Sequence, residues 1–387
     1  MSVPGSATGP LTGIRVIEMA GIGPGPFACM LLSDMGAEVI RVDRAGGAMS
    51  MGDNPGDVTG RGRKSIAVDL KQPEGVETVL KLLETADAVI EGFRPGVMEK
   101  LGLSPEVCLS RNKKLVFGRM TGWGQHGPLS QAAGHDINYL AITGALDSIG
   151  RKDTGPIVPL NLVGDFGGGS MYLVMGVLAA LLNVKQTGKG QVVDAAITDG
   201  AISLMSCMHG FKAMGMWDTG RESNMLDGAA HYYDVYECAD GKYISVGSIE
   251  PQFYALLIEK SGADLEAGDF MAQFDKSAWP ENKTKIAAAF KAKTRAQWCD
   301  IMEGSDVCFG PVLDMDEAPE HPHNKARASF VEVDGVIQAA PAPRFSATPS
   351  AIQGAPVAVG ANTDEIISAL GLDLDGLKAS GAVSSAE

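Results

Sequence analysis

From residue 14 to residue 117, short apolar runs alternate with stretches whose apolar positions recur every three to four residues. Residues 14–19, 38–42, 65–68, 88–90 and 115–117 read as strands, with helices at 27–35 and 74–84. Val/Ile-rich strands joined by helical connections predict an α/β fold with a Rossmann-like, mostly parallel sheet covered on both faces. Helical periodicity then dominates from 137 to about 225. A fresh strand pattern opens at 231–236 and 242–246 and yields to helices from 252 to about 302. The chain therefore divides into a large domain over 1–227, a smaller α+β domain over 228–325, and a segment 326–387 that returns to the large domain. Pro341, Pro343 and Pro349 punctuate that return, and 363–379 reads as a last helical element.

Composition narrows the function. The 387 residues are 45% hydrophobic and 20% charged, with a formal net charge of −15. An acidic chain of this kind is a poor partner for nucleic acid or an anionic membrane. The most apolar run, 171–184, is broken by Gly176 and is shorter than the roughly 20 residues a bilayer requires. The six cysteines form no C-x-x-C pair or metal spacing, and the first residues lack the basic and apolar regions of a signal peptide. A cytoplasmic location follows by elimination, with no metal expected.

Two segments carry the chemistry. Gly134-His135-Asp136-Ile137-Asn138-Tyr139 supplies an imidazole, and Asn161-Leu162-Val163-Gly164-Asp165-Phe166-Gly167-Gly168-Gly169 supplies a carboxylate. An apolar run of helical period follows each, so each group is expected at a helix N-terminus. The positive end of the helix dipole there favours a neutral His and an ionised Asp, both able to accept a proton. Two bases on opposite sides of one carbon are the equipment for inverting a chiral centre by proton transfer. The bland readings are an N-cap for Asp165 and a close-packed turn for its glycines. His126, His209, His321 and His323 have no such context and read as structural.

Cations form a second pattern. Arg44, Lys71 and Arg94 follow the second, third and fourth strands, and Arg63 and Lys64 precede the third. Basic residues at the carboxyl ends of neighbouring strands suit a polyanionic ligand; spacing alone leaves scattered surface charge equally open. The turn Gly21-Ile22-Gly23-Pro24-Gly25-Pro26, with Asp43 beyond it, begins like a dinucleotide fingerprint. Pro24 and Pro26 remove N–H donors that a pyrophosphate would use, which disfavours that reading. A third cluster joins Met205, Met208, Met214, Met216 and Met225 with Phe211 and Trp217. It is either a core or interface helix or a pliant surface for an apolar chain.

The His135 and Asp165 segments, with Ile249-Glu250-Pro251-Gln252-Phe253-Tyr254, resemble the α-methylacyl-CoA racemases of the class III CoA-transferase superfamily. The resemblance runs from Leu11 through Arg327 to Thr363, nearly the whole chain. It implies 1,1-proton transfer on 2-methylacyl-CoA by His135 and Asp165, with Glu250 orienting His135. It places the adenosine and phosphates of coenzyme A at Ile22, Arg44, Val68, Asp69, Leu70, Lys71, Gly92, Phe93, Arg94 and Lys100, and it counts Gly134, Asp136, Ile137, Asn138 and Tyr139 among the residues that bind the coenzyme. The last position is more often arginine in the family. It further implies an interlocked homodimer with shared active sites and no cofactor beyond the coenzyme A of the substrate. The alternatives are a CoA-transferase using Asp165 as nucleophile and a non-catalytic acyl-CoA-binding protein.

Overall fold

The computed structural model describes residues 8–46, 52–266 and 270–386. These form two compact units, one from residues 1–143, 160–204 and 328–387 and the other from 144–159 and 205–327. Residues 144–159 and 205–227, assigned by the sequence pattern to the large domain, belong to the second unit.

In chain order the strands begin with β1 (Arg15–Met19), β2 (Glu38–Arg44), β3 (Arg63–Val68), β4 (Ala88–Glu91) and β5 (Val116–Thr121). A small hairpin, β6 (Gly150–Arg151) and β7 (Gly155–Pro156), precedes β8 (Gln191–Ala196). Then follow β9 (Tyr233–Glu237), β10 (Tyr243–Gly247), β11 (Phe309–Pro311), β12 (Phe330–Val333), β13 (Val336–Ala339) and β14 (Val383–Ser384).

The first unit is built on a seven-stranded sheet in the order β14-β3-β2-β1-β4-β5-β8. All neighbours are parallel except β14, which runs antiparallel to β3. The strand order reverses at β1, so the carboxyl ends of β1 and β4 open a crevice where such sheets take ligands. Alternation along each strand feeds two cores. Ile17, Ile40, Val89 and Phe117 face the helix Pro73–Leu83 side. Val16, Val39, Ile90 and Val116 face the helices Pro24–Asp34 and Met171–Thr187.

Buried arginines in this unit are paired with carboxylates. Arg63 Nε meets Glu18 Oε2 at 2.9 Å, Arg61 Nη2 meets Asp34 Oδ2 at 2.5 Å, and Arg119 Nε meets Glu91 Oε1 at 2.9 Å. Removing one member of such a pair strands a buried charge and costs about 3–5 kcal/mol. Arg63 also donates to the carbonyl of Pro26, so it anchors the turn after β1 from beneath. Arg63 is thus a buried member of β3 rather than a cation preceding it, and Lys64 is held by Glu38 and Glu365.

Two readings of the 160–196 region are corrected. The run 171–184 is part of a continuous helical segment, Leu162–Thr187, long and apolar enough to cross a membrane by length and composition. The segment is therefore not too short to span a bilayer. Its inward side, Leu173, Val174, Val177, Ala180 and Leu181, packs into the second core. The helical reading of 137–225 also overlooks β8, whose burial is confined to Ala195 and Ala196 at its end.

The second unit has a three-stranded antiparallel sheet, β11-β10-β9. The helices Pro251–Ser261, Trp279–Phe290 and Arg295–Met302 enclose a core with it around Tyr232, Tyr236, Leu257, Phe290 and Trp298. The helix Ser206–Ala213, which carries Met208, buries none of its residues, and Met214 and Met216 beyond it are exposed.

Candidate active site

His135 is the N-cap of the short helix Asp136–Ala141. Its own N–H donates to Asn138 Oδ1 at 3.0 Å, which fixes the entry of the chain and leaves the imidazole at the surface. Tyr139 folds back, its hydroxyl donating to the carbonyl of Gly134 and its ring meeting Trp123 edge-on at 4.8 Å. A Cβ at Gly134 would press on both rings, so the glycine is a packing requirement.

Asp165 lies within a π-helical segment, Leu162–Ser170, which continues into the helix Met171–Thr187. The wider turn is visible in the bond from Phe166 N–H to the carbonyl of Asn161 at 3.1 Å. Such turns recur at functional sites because they re-aim a side chain without ending the helix. Gly168 lets the backbone press against the helix Ile197–Leu204; a Cβ there would lie 2.8 Å from the nitrogen of Ala201. Ser170 Oγ donates to the carbonyl of Pro24 at 2.7 Å and to that of Asp165 at 3.1 Å, tying this segment to the turn after β1. Phe27 stacks on Phe166 at 4.4 Å and reinforces that seam.

The two motifs meet directly. Asp136 Oδ1 accepts the backbone N–H of Asp165 at 2.6 Å and is also bonded by that of Gly164. This link was not legible in the sequence, where nothing marks the Asp136 side chain. As the first residue of its helix, Asp136 has no intrahelical acceptor for its backbone N–H. The charge state of Asp165 also departs from expectation. Burial, and then the neighbouring Asp136 carboxylate, push its pKa up to about 6, against a hydrogen bond from Asn161 and the charge of His135. Desolvation outweighs the helix terminus that was expected to keep it ionised.

A cleft of about 170 Å³ lies at the carboxyl ends of β4 and β5, lined by Phe93, Arg94, Trp123, His135 and Tyr139 among others. It brings Gly92, Phe93 and Arg94 together with Gly134, His135 and Tyr139. Arg44 ends β2, beside Val68 at the end of β3, and Lys71 follows Asp69 and Leu70 in the next turn. Among the described residues, Arg44, Lys71, Arg94 and Lys100 have no carboxylate partner, whereas the buried arginines are consumed by theirs. Ile22 is exposed at the tip of its turn. Asp43 is buried and takes Arg41 Nε at 2.8 Å and Ser65 Oγ at 2.6 Å, so it is not free for a ribose. Glu250 belongs to the second unit, where it is the exposed N-cap of the helix Pro251–Ser261.

Comparison with protein families matches residues 11–363 to CoA-transferase family III. The chain belongs to this family. It is 46% identical to the alpha-methylacyl-CoA racemase of Mus musculus over 88% of this chain and 87% of the relative. It is 42% identical to that of Homo sapiens over 93% of each. The acetyl-CoA:oxalate CoA-transferase of Acetobacter aceti, which matches over 87% of this chain and 89% of its own, is 28% identical. Among solved structures, a CaiB/BaiF family protein from Brucella suis superposes with a TM-score of 0.77 at 25% identity, covering 94% of this chain and 100% of the other. The family thus includes relatives named as racemases and as transferases, and the racemases share more of this sequence.

Proposed function

We propose that this protein is an α-methylacyl-CoA racemase, interconverting (R)- and (S)-2-methylacyl-CoA thioesters through an enolate. The observation that carries the reading is the direct coupling of the His135 and Asp165 segments by the Asp136 carboxylate. The identity to relatives named as racemases supports it.

In this reading His135 removes the α-proton of the (S)-thioester. The C–H electron pair moves into the carbonyl, leaving negative charge on the thioester oxygen. The backbone N–H of Asp136 is the candidate donor for that oxygen; one such donor is worth about 2.7–4 kcal/mol. The protonated Asp165 then delivers its proton to the other face of the carbon and becomes a carboxylate. The (R)-thioester runs the sequence backwards. A pKa of about 6 keeps both forms of Asp165 populated near neutrality, which suits a group that must both give and take a proton.

The unpaired cations Arg44, Lys71, Arg94 and Lys100 would hold the phosphates of coenzyme A, with Ile22 beside the adenine. Coenzyme A enters with the substrate, so no separate cofactor is invoked. We place the enzyme in the cytoplasm as a homodimer, in which Glu250 of the partner subunit orients His135. The test is α-deuterium incorporation from D₂O into 2-methylacyl-CoA with no acceptor acid present. A racemase exchanges; a transferase that uses Asp165 as acyl-carrying nucleophile does not, because it needs the second acid.

A further inference from the structure

Asp136 is 7% exposed, and its second oxygen, Oδ2, is buried without a hydrogen-bond partner. A buried carboxylate oxygen left unpaired is costly, and Asp136 has no cationic partner among the described residues. Its other oxygen, Oδ1, is spent on the peptide N–H groups of Asp165 and Gly164. The packing is tight: any Cβ on Gly164 would overlap that carboxylate. An amide oxygen could accept the same two N–H groups without bringing a charge.

We propose that Asp136 is a positioning residue for the proton transfer, one that fixes the peptide of Asp165 and sets an uncompensated negative charge beside its carboxyl group. The proposal rests on the racemase reading and deepens it. The charged and titratable groups acting on this pair are His135 at the helix start and Tyr139 one turn on, which itself feels Arg94 beyond β4. Asn161 bonds the Asp165 side chain from its own segment. Of these, Asp136 alone raises the proton affinity of Asp165 by charge; His135 works against it. When Asp165 acts as acid, the proton leaves its carboxyl for the α-carbon and the new carboxylate faces Asp136. That repulsion favours delivery of the proton to carbon.

Asp136→Asn keeps an oxygen for the two N–H groups and removes the charge. Asp136→Ala removes both. With the (R)-thioester, where Asp165 is the base, the acid limb of the kcat/KM profile in Asp136→Asn should move down by roughly one pH unit. Asp136→Ala should lose rate at every pH. An Asn variant that is slower with an unshifted limb would overturn the charge role and leave Asp136 as scaffolding only. If the Asn variant does not fold, infrared titration of the Asp165 carboxyl in the parent and in Asp136→Ala decides. The midpoint, near pH 6 in the parent, should fall in Asp136→Ala, and an unmoved midpoint would overturn the proposal. Absence of any α-exchange by the parent would instead defeat the racemase reading, while the infrared titration still tests the coupling.

Discussion

Gly23 faces the Asp165 carboxylate so closely that a Cβ on it would lie 3.2 Å from Oδ2. Gly23 also has φ +71°, ψ −120°, a conformation costly for other residues, estimated at about 1–3 kcal/mol. Gly23→Ala should therefore act twice, by backbone strain and by crowding Asp165. Proton exchange should fall at least tenfold, beyond what a modest loss of stability explains. Exchange rates and urea unfolding of the same preparation separate the effects. Parent-like exchange in a folded variant would show that the close approach is incidental.

Arg94 has no carboxylate partner and lines the cleft beside His135. If it binds a phosphate, Arg94→Ala should raise KM about 10- to 100-fold, the worth of one charged hydrogen bond, with kcat little changed. Added salt should weaken binding in the parent more than in the variant. Steady-state kinetics at two ionic strengths is the measurement, and an unaltered KM would remove Arg94 from the binding site.

The two proposed bases should fail differently. His135→Ala should nearly abolish α-exchange from the (S)-thioester while Asp165 still exchanges the (R)-thioester without inversion. Asp165→Ala should show the mirror pattern. Racemisation should fall in both by more than the roughly 10²–10⁴-fold of one acid–base group, since inversion needs both faces. NMR of each pure enantiomer in D₂O reads this directly. A variant that still inverts at near the parent rate would exclude the two-base scheme.

The shared site of the proposed dimer can be tested by mixing. Glu250→Gln and His135→Ala chains, each inactive alone, should regain activity when co-expressed, because one heterodimer site keeps both residues. Tagged purification isolates the heterodimer. No regain there would place Glu250 in the site of its own chain or outside the mechanism.

His231 is fully buried, its Nε2 2.9 Å from the Tyr254 hydroxyl, and burial lowers its pKa to about 4. The folded state then binds fewer protons than the unfolded state, where the pKa is ~6.5. The stability this confers is complete above pH 6.5 and is lost as pH falls from there through 4, by about 3 kcal/mol in total. Urea unfolding between pH 7 and 5 should show roughly 2 kcal/mol of that loss. His231→Gln should flatten the slope, and an equal slope in parent and variant would assign it to other groups.

The parallel strands were legible because their apolar runs are buried on both faces, as at Val39, Ile40 and Val42 in β2. β8 was not, because Gln191, Val192 and Asp194 are exposed and pairing with β5 alone makes them a strand. His135 and Asp165 stood out as proton-transfer groups in glycine-containing motifs. Their electrostatics did not, since the proton affinity of Asp165 depends on a carboxylate 29 positions away. The cations divided on burial, which no spacing reveals: Arg63 disappears under the sheet, while Arg94 stays open.

β14 seals the open flank of β3, pairing Val383 with Val68 and Ser384 with Ala67. Asn362 Oδ1 takes the N–H of Ser65, and Gln338 Oε1 takes Arg61 Nη1 at 2.6 Å. Residues translated early are thus completed by residues translated some 300 positions later, with the whole second unit made in between. At about 5–20 residues per second, β3 leaves the ribosome with its flank bare for tens of seconds. An uncovered parallel strand beside Ile66 and Val68 is a template for other nascent chains. During synthesis, then, this protein has an interval in which a chaperone has most to offer it, and that interval closes only when Val383 emerges.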